Sequence, residues 1–504
     1  MLAREGASTK RLLHLAVRST HLLVLTAGDS MQTVSIRLRP MVCPCLVALA
    51  FAMPVAAGAE QTQRLNREFQ SAVAQYDAGH LPEAAAELES LLRDVPDSFE
   101  VHELLGLVYA GESQDALANQ HLEKAVRLKP DSAAARTNLA TNLVRMGKLE
   151  PAQEQFKKAV ALEPRNYDAN HNLGELYVRM GKLSEAVPFL RQAQHTNPTS
   201  YDNGYDLALA YLYTGQPGQA RQLVQTLLHT KDTAELHNLL GQIEEKDGKY
   251  LPAVNEFEIA AHQDPSESNL FDWASELLLH QTLEPAIEVF RQATGRYPNS
   301  PSLAIGLGIA LYSRGFYDEA VKSLLRAADL SPSDPRCYLF LSKAYDSSPS
   351  QADEVIQRFR RFSELQPSNA RASYYYAMSL WKGRRTQDPS LDLHQVESLL
   401  EKAVMLDPKL AEAHLQLGNL YSDQTKYAEA VPEYEKALEN NPDLADAHYR
   451  LGQAYVHTGE KDKAQPQFQV YQQLRAQHLA DLDKQRAEIR QFVYSEKSET
   501  PAKP

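Results

Sequence analysis

Two series of polar residues recur at an interval of 34 positions and could bind a ligand side by side. Asn138, Asn172 and Asp206 form the first series, and Arg145 and Arg179 form the second. An asparagine amide both donates and accepts hydrogen bonds, so it can pair with any peptide unit whatever the peptide sequence. An arginine guanidinium can pair with an acidic side chain or a terminal carboxylate. The shared interval predicts a repeating scaffold that places the members of each series in register.

The histidines and the cysteine do not complete a catalytic or metal-binding motif. His102 begins the segment HELLG, which lacks the second histidine of a zinc-protease motif. His102, His414 and His448 share one position of the repeat described below, so we expect them to pack between helices or at a groove edge. Cys337 has no partner pattern. The chain has no nucleophile elbow and no phosphate-binding loop. We therefore predict no catalytic residues, no metal and no cofactor.

Composition narrows the class of protein. The 504 residues are 43% hydrophobic and 23% charged, which excludes collagen-like, disordered and polytopic membrane chains. The formal net charge is −13. A general nucleic-acid binder needs a cationic surface, so we expect no nucleic-acid partner.

Prolines mark a repeat that runs through most of the chain. Most of their intervals are 33 to 35 residues, one is 41, and one of 67 spans two units, with Asp232 at the skipped position. The series comprises Pro96, Pro130, Pro164, Pro198, Pro265, Pro298, Pro332, Pro367, Pro408 and Pro442. Proline cannot continue a helix, so each one ends a helix. We expect the polar residue next to it, such as Asp131, Asn299 or Asp443, to cap the next helix.

Small residues recur at fixed places between these prolines. The first series comprises Ala72, Gly106, Ala140, Gly174, Ala208, Gly241, Ala274, Gly308, Ser342, Ala377, Gly418 and Gly452. An alanine follows twelve positions later in most units, with Val355 and Val396 as exceptions. A small residue lets a second helix approach closely, where a larger side chain would cost about 1–3 kcal/mol of overpacking. We call the place of this first series within each repeat the small position.

This pattern resembles the tetratricopeptide repeat, a helix–turn–helix unit of 34 residues. The segment from His102 through Leu105, Gly106 and Tyr109 to Pro130 matches its signature, and twelve units cover about residues 64–474. The resemblance implies an all-α, right-handed superhelical α-solenoid whose first helices line a concave groove. It also implies binding of extended peptides or partner-protein segments, and no enzyme. The ninth unit departs from the pattern because it carries Pro349 in its turn.

The resemblance implies a ligand-binding role for the two polar series. Asn138, Asn172 and Asp206 lie two residues before the small position, as the asparagine ladder does in the superhelical repeats of O-GlcNAc transferases, where amides grip a ligand's backbone. Only the third and fourth units carry asparagine there. Arg145 and Arg179 lie five residues after the small position and could hold a carboxylate of a partner. The alternative for both is a solvated helix C-terminus, where the helix dipole favours arginine.

The first 59 residues predict export. Arg37 and Arg39 precede an apolar core at 41–53, and an A-x-A cleavage site ends at Ala59. The alternative is a retained anchor, since residues 40–59 carry no charge. We expect Met31 to be the true start; an unusually long n-region is the alternative. After cleavage the chain keeps one cysteine and has 46 Lys and Arg against 63 Asp and Glu, a net charge of −17.

The predicted organisation is therefore one repeat array behind an export segment. Its parts are an extension and signal peptide at 1–59, repeats at 60–383, a longer turn at 384–394, repeats at 395–474, a capping helix at 475–494 and a disordered tail at 495–504. We expect a non-catalytic scaffold that binds proteins or peptides in the periplasm, in the cell envelope or after secretion, with no membrane insertion after signal cleavage. The alternative is an accessory subunit of an envelope-assembly, secretion or glycan-synthesis complex. The sequence leaves the oligomeric state open.

Overall fold

The computed structural model describes residues 58–385 and 393–477, and these residues form helices joined by short turns. The first helices of the twelve pairs, called A helices, are α1 (Gly58–Asp77), α3 (Phe99–Gly111), α5 (Ala133–Arg145), α7 (Tyr167–Arg179), α9 (Tyr201–Tyr213), α11 (Ala234–Lys246), α13 (Glu267–Leu279), α15 (Pro301–Arg314), α17 (Pro335–Ser347), α19 (Ala370–Arg385), α21 (Ala411–Asp423) and α23 (Ala445–Thr458). The second, or B, helices are α2 (Leu81–Asp94), α4 (Asp115–Leu128), α6 (Leu149–Leu162), α8 (Leu183–Thr196), α10 (Pro217–Leu228), α12 (Tyr250–Gln263), α14 (Leu283–Arg296), α16 (Tyr317–Leu330), α18 (Ala352–Leu365), α20 (Leu393–Leu406), α22 (Tyr427–Asn440) and α24 (461–477). The predicted all-α fold of tetratricopeptide-type helix pairs is confirmed.

Several A helices are capped by a side chain that closely follows the proline at the end of the preceding repeat. Ser132 and Ser300 each accept a hydrogen bond from the backbone N–H three residues later, at 3.1 and 3.2 Å. These caps lie two residues after the proline. The expectation for Asp131, Asn299 and Asp443 is therefore wrong, because the residue after each of them occupies the N-cap place. At the N-cap place, a side-chain oxygen is in reach of the free N–H groups of the first turn.

The small position brings the two helices of a repeat together, as predicted. A Cβ atom added to Gly174 would lie 2.5 Å from Cγ of Leu190, which is fully buried on the partner helix. At Gly106 the equivalent distance to Cγ of Leu122 is 2.4 Å. These distances are well inside an ordinary carbon–carbon contact of about 3.5–4.0 Å. Glycine at these positions therefore allows the close approach of A and B helices.

Repeat 9 packs differently. Its helices α17 and α18 are separated by large buried aromatic side chains, and the rings of Tyr338 and Phe362 stack with centroids 4.0 Å apart. Phe359, which lies on α18 together with Phe362, also contacts Tyr338 of α17, with ring centroids 5.8 Å apart. The bulk of these rings replaces the close backbone approach seen at Gly174.

The chain divides into two compact units after Asp264. The described part of the first unit holds repeats 1–6, and the described part of the second holds repeats 7–12. Most of the extension and signal segment (1–59), of the longer turn (384–394) and of the capping helix (475–494), together with the tail (495–504), lies outside the described residues. The predictions for these segments stay predictions.

Candidate functional site

The A helices of the first unit form a shared face. Within the described part of this unit, consecutive A helices contact one another more than consecutive B helices do. Side chains at one position of the A helix therefore form a row across neighbouring repeats. The row two residues before the small position, which we call the ladder row, comprises Leu104, Asn138, Asn172, Asp206 and Leu239 on α3, α5, α7, α9 and α11. The structure thus brings the three predicted polar residues into register on adjacent helices.

Asn138 is buried and already makes a hydrogen bond within the chain. Its Nδ2 donates to Oε1 of Glu103, on the preceding A helix, at 3.3 Å. Burial raises the pKa of Glu103 to about 7, and the bond from Asn138 acts in the opposite direction. The amide therefore compensates part of the cost of holding this carboxyl group out of water.

Asn172 has the same position and a different environment. Its side chain is 1% exposed, and its Nδ2 atom is covered by the protein without any hydrogen-bond acceptor. A buried donor without a partner costs about 1–3 kcal/mol, because its bonds to water are lost and not replaced. The two asparagines of the predicted ladder are therefore not equivalent, and only Asn172 retains an unused donor.

Two acidic side chains lie beside Asn172. Glu175 is one helical turn further along α7, and Asp206 occupies the ladder row on α9. Burial raises the pKa of Asp206 to about 7, and the negative charges of Glu175 and Asp202 raise it further. Burial likewise raises the pKa of Glu175 to about 7, while Arg179 acts in the opposite direction. We call Glu175 and Asp206 the acidic pair.

The acidic pair has little internal compensation. Within residues 58–385 and 393–477, Asp206 makes no hydrogen bond or ion pair, and the ion-pair partner of Glu175 is His171, at 3.9 Å. His171 also contacts Oδ1 of Asn203 on α9 through Nδ1, at 3.1 Å. The sequence analysis did not identify Glu175. Its spacing of three residues from Asn172 could have indicated it, because residues three apart share a helix face.

The two predicted arginines differ in the same way as the two asparagines. Arg145 forms an ion pair with Asp115 at 2.9 Å and donates to the backbone carbonyl of Ala110, at the end of the preceding A helix. Lysines at the equivalent position do the same elsewhere: Lys246 donates to the Leu212 carbonyl at 3.1 Å, and Lys382 to the Asp346 carbonyl at 3.4 Å. A cation at this position therefore caps the neighbouring helix C-terminus.

Arg179 is the exception in this row. Its side chain is exposed and makes no hydrogen bond or ion pair in the described part of the chain. It remains available to a partner next to the acidic pair. The role of both arginines in binding stays a prediction.

The shared histidine position is structural. Nε2 of each of these rings donates to the carbonyl oxygen of the proline six residues earlier, at 2.9–3.1 Å, and Nδ1 contacts a B-helix side chain 19 residues later. The sets are His102 with Pro96 and His121, His414 with Pro408 and Glu433, and His448 with Pro442 and Gln467. These side chains tie the inter-repeat turn to the B helix. Among the residues that the structure describes, no group of three or more His, Cys, Asp or Glu side chains could hold a metal ion.

The helix pairs and the ladder row define a helical-repeat interaction scaffold. A tetratricopeptide-repeat family model matches residues 69–133, 137–201, 271–335 and 415–478, which is more than half of the chain, and a second one matches residues 178–243. The chain therefore belongs to the tetratricopeptide-repeat family. No helix in its described residues combines the length and apolar character that a membrane span requires.

Individual relatives are distant. The TPR repeat-containing protein YpiA of Bacillus subtilis (strain 168) is 24% identical over 195 residues, which is 38% of this chain and 44% of that protein. This chain therefore spans less than half the length of that relative. The crystal structure of YrrB, described as a TPR protein with an unusual peptide-binding site, has a TM-score of 0.31 and 18% identity, over 37% of this chain and 96% of YrrB. A tetratricopeptide repeat protein from Parabacteroides merdae ATCC 43184 has a TM-score of 0.39 and 17% identity, over 49% of this chain and 98% of its own.

Proposed function

We propose that the chain is an exported, non-catalytic scaffold that holds an extended segment of a partner protein on the A-helix face of repeats 3–5. The observation that carries this proposal is the ladder row, in which Asn138, Asn172 and Asp206 lie in register on helices that contact one another. An extended segment crossing these helices would meet one polar side chain per repeat. Amides suit this task because they pair with peptide units of any sequence.

The unused donor of Asn172 supports the same assignment. Buried polar groups in folded proteins are nearly always paired, so an unpaired one calls for a reason. A ligand carbonyl would supply the missing acceptor. Because the Nδ2 atom is covered in the unliganded chain, the ligand would reach it when the side chain rotates.

Binding to short peptides tests the proposal. The double variant Asn138→Ala/Asn172→Ala should lose affinity for peptide pools with randomised sequence, measured by fluorescence anisotropy with the full chain. Asn255→Ala is the matched control, because Asn255 is an exposed amide on the B helix α12. Equal affinity of the double variant and the control would remove the ladder row from the proposed function.

Crosslinking in cells addresses the partners. A scaffold for extended segments should yield many different clients in the periplasm or cell envelope. One stoichiometric partner set would instead support an accessory subunit of an assembly, secretion or glycan-synthesis complex.

Export is the part of the proposal that rests on the first 59 residues. The apolar core and the A-x-A site support cleavage after Ala59. Mass spectrometry of the protein from a periplasmic fraction should find Glu60 at the N-terminus. A full-length chain in the cytoplasm would reject export, and any peptide from residues 1–30 would reject Met31 as the start.

A further inference from the structure

The acidic pair has less compensation from the chain than two other acids of its unit. Glu244, a buried acid of repeats 1–6, is held by Arg221 through two side-chain hydrogen bonds and lies 3.6 Å from Lys249. The chain thus supplies cations at Glu244, and at Glu103 it supplies the amide of Asn138. Glu175 and Asp206 are half-buried and receive no comparable cation: His171 lies 3.9 Å from Glu175, and Arg179 acts on Glu175 without forming an ion pair. The remaining compensation can come from protons or from outside the chain.

Protonation does not remove all of the negative charge of the acidic pair at neutral pH. Burial raises the pKa of both groups to about 7, so protons alone do not neutralise the pair fully at neutral pH. Each remaining negative charge raises the cost of ionising the other, because two like charges lie in a poorly solvated place. A positively charged group placed between the two carboxylates would stabilise both in the ionised form.

Asn172 provides an independent indication of a ligand. It lies one turn before Glu175 on α7 and in the same row as Asp206, and its Nδ2 is buried without an acceptor. A free cation such as a metal ion would leave this donor unused. A peptide segment would use both features, since its backbone carbonyl can accept from Asn172 while a side chain reaches the acidic pair.

We propose that Glu175, Asp206 and Asn172 form a subsite for a lysine or arginine side chain of the bound segment. The proposal rests on the proposed function, because it assigns a side-chain preference to a peptide already held on this face. It differs from the prediction for Arg145 and Arg179, which concerned acidic groups of a partner. The exposed Arg179 lies one turn beyond Glu175 and can accompany the subsite by binding an acidic residue next to the basic one.

Peptide pools that differ at one position test the subsite. The probes are short, N-acetylated, C-amidated peptides with a fixed central residue and flanks randomised over Ala, Ser, Asn and Leu. The central residue is Lys, Arg, acetyl-lysine, Ala or Glu. The full chain should bind the Lys and Arg pools about tenfold more tightly than the Ala pool, because a tenfold change is about 1.4 kcal/mol, close to the contribution of one hydrogen bond to a charged group. Acetyl-lysine should behave like Ala, since acetylation removes the charge.

Isosteric variants locate the preference. Glu175→Gln with Asp206→Asn keeps the shape of both side chains and should abolish the difference between the Lys and Ala pools. Glu185→Gln is the charge-matched control, because Glu185 is exposed on the B helix of the same repeat, and it should retain the difference. Circular dichroism of all variants checks that the helices remain folded.

The outcomes separate the two proposals. If no pool binds the wild-type chain, the proposed peptide-binding function of this face fails, and the subsite fails with it. If every pool binds equally, peptide binding stands and the basic subsite is wrong. The subsite is also wrong if the preference for Lys survives in the double variant, or if the pair binds Ca²⁺ while all pools bind alike.

Discussion

Replacing Asn172 by leucine should stabilise the chain while weakening ligand binding. The unpaired Nδ2 atom costs about 1–3 kcal/mol, and an apolar side chain removes that cost. Leucine fits the position, because Leu104 and Leu239 occupy the same row and are only 8% and 1% exposed. We expect Asn172→Leu to raise the local stability of repeat 4 by about 1–2 kcal/mol.

Asn138→Leu is the matched substitution, and we expect it to lower the local stability of its repeat. It removes the 3.3 Å hydrogen bond to Glu103, and the net value of such a bond is about 0.5–1.5 kcal/mol. The carboxyl group of Glu103 would also lose the amide that holds its pKa down. Repeat 3 should therefore become less stable, although the two substitutions are chemically identical.

Hydrogen exchange followed by mass spectrometry is the suitable assay, because a repeat array opens locally and a single global unfolding free energy describes it poorly. A change of 1–2 kcal/mol corresponds to a factor of roughly 5–30 in the opening equilibrium. Amides of α7 and α8 should exchange more slowly by that factor in Asn172→Leu, and amides of α5 should exchange faster in Asn138→Leu. Unchanged or faster exchange in α7 would refute the claim that Asn172 is a buried donor without a partner.

Three further predictions follow from the same contacts. The raised pKa values of Glu175 and Asp206 mean that the folded chain holds protons that the unfolded chain has lost, so stability should fall as the pH rises from about 4 to 7; denaturant titrations should show a smaller fall in the Glu175→Gln/Asp206→Asn double variant. Arg145→Ala should destabilise the repeat 2–3 junction by about 1 kcal/mol, whereas Arg179→Ala should leave hydrogen exchange unchanged; equal effects would contradict the difference in their contacts. Gly174→Ala should destabilise repeat 4 by about 1–2 kcal/mol despite the better helix propensity of alanine, and a raised midpoint of thermal unfolding would show that the helices can separate.

Much of the fold was predictable because individual residues at fixed places in each repeat determine where its helices end and meet. The prolines end the B helices, and the small residues mark where two helices meet, so spacing alone places each helix pair. Repeat 9 shows the limit of this reasoning. Ser342 is a small residue at the small position, but Tyr338 and Phe362 hold the helices apart. Their stacking could not be predicted from the residue type at any single position.

The sequence could predict which side chains of the candidate site share one row, but it could not predict which of them have hydrogen-bond or ion-pair partners. The interval of 34 residues correctly placed Asn138, Asn172 and Asp206 in one row of contacting helices. Whether each side chain has a partner depends on residues 30 or more positions away, such as Glu103 for Asn138. The same is true of Arg145, whose guanidinium is engaged by Asp115 and the Ala110 carbonyl, while Arg179 has no equivalent contact.

The sequence by itself determined the all-α repeat fold, the family and the alignment of the ladder row. These depend on periodicity, and periodicity is a property of the chain read in order. Only the tertiary structure decided which polar groups are compensated and which are left with unused hydrogen-bonding capacity or charge. Burial and pairing depend on the through-space distances between helices, which set the cost of removing each group from water. The acidic pair and the unpaired amide of Asn172 therefore became visible only when neighbouring A helices were placed side by side.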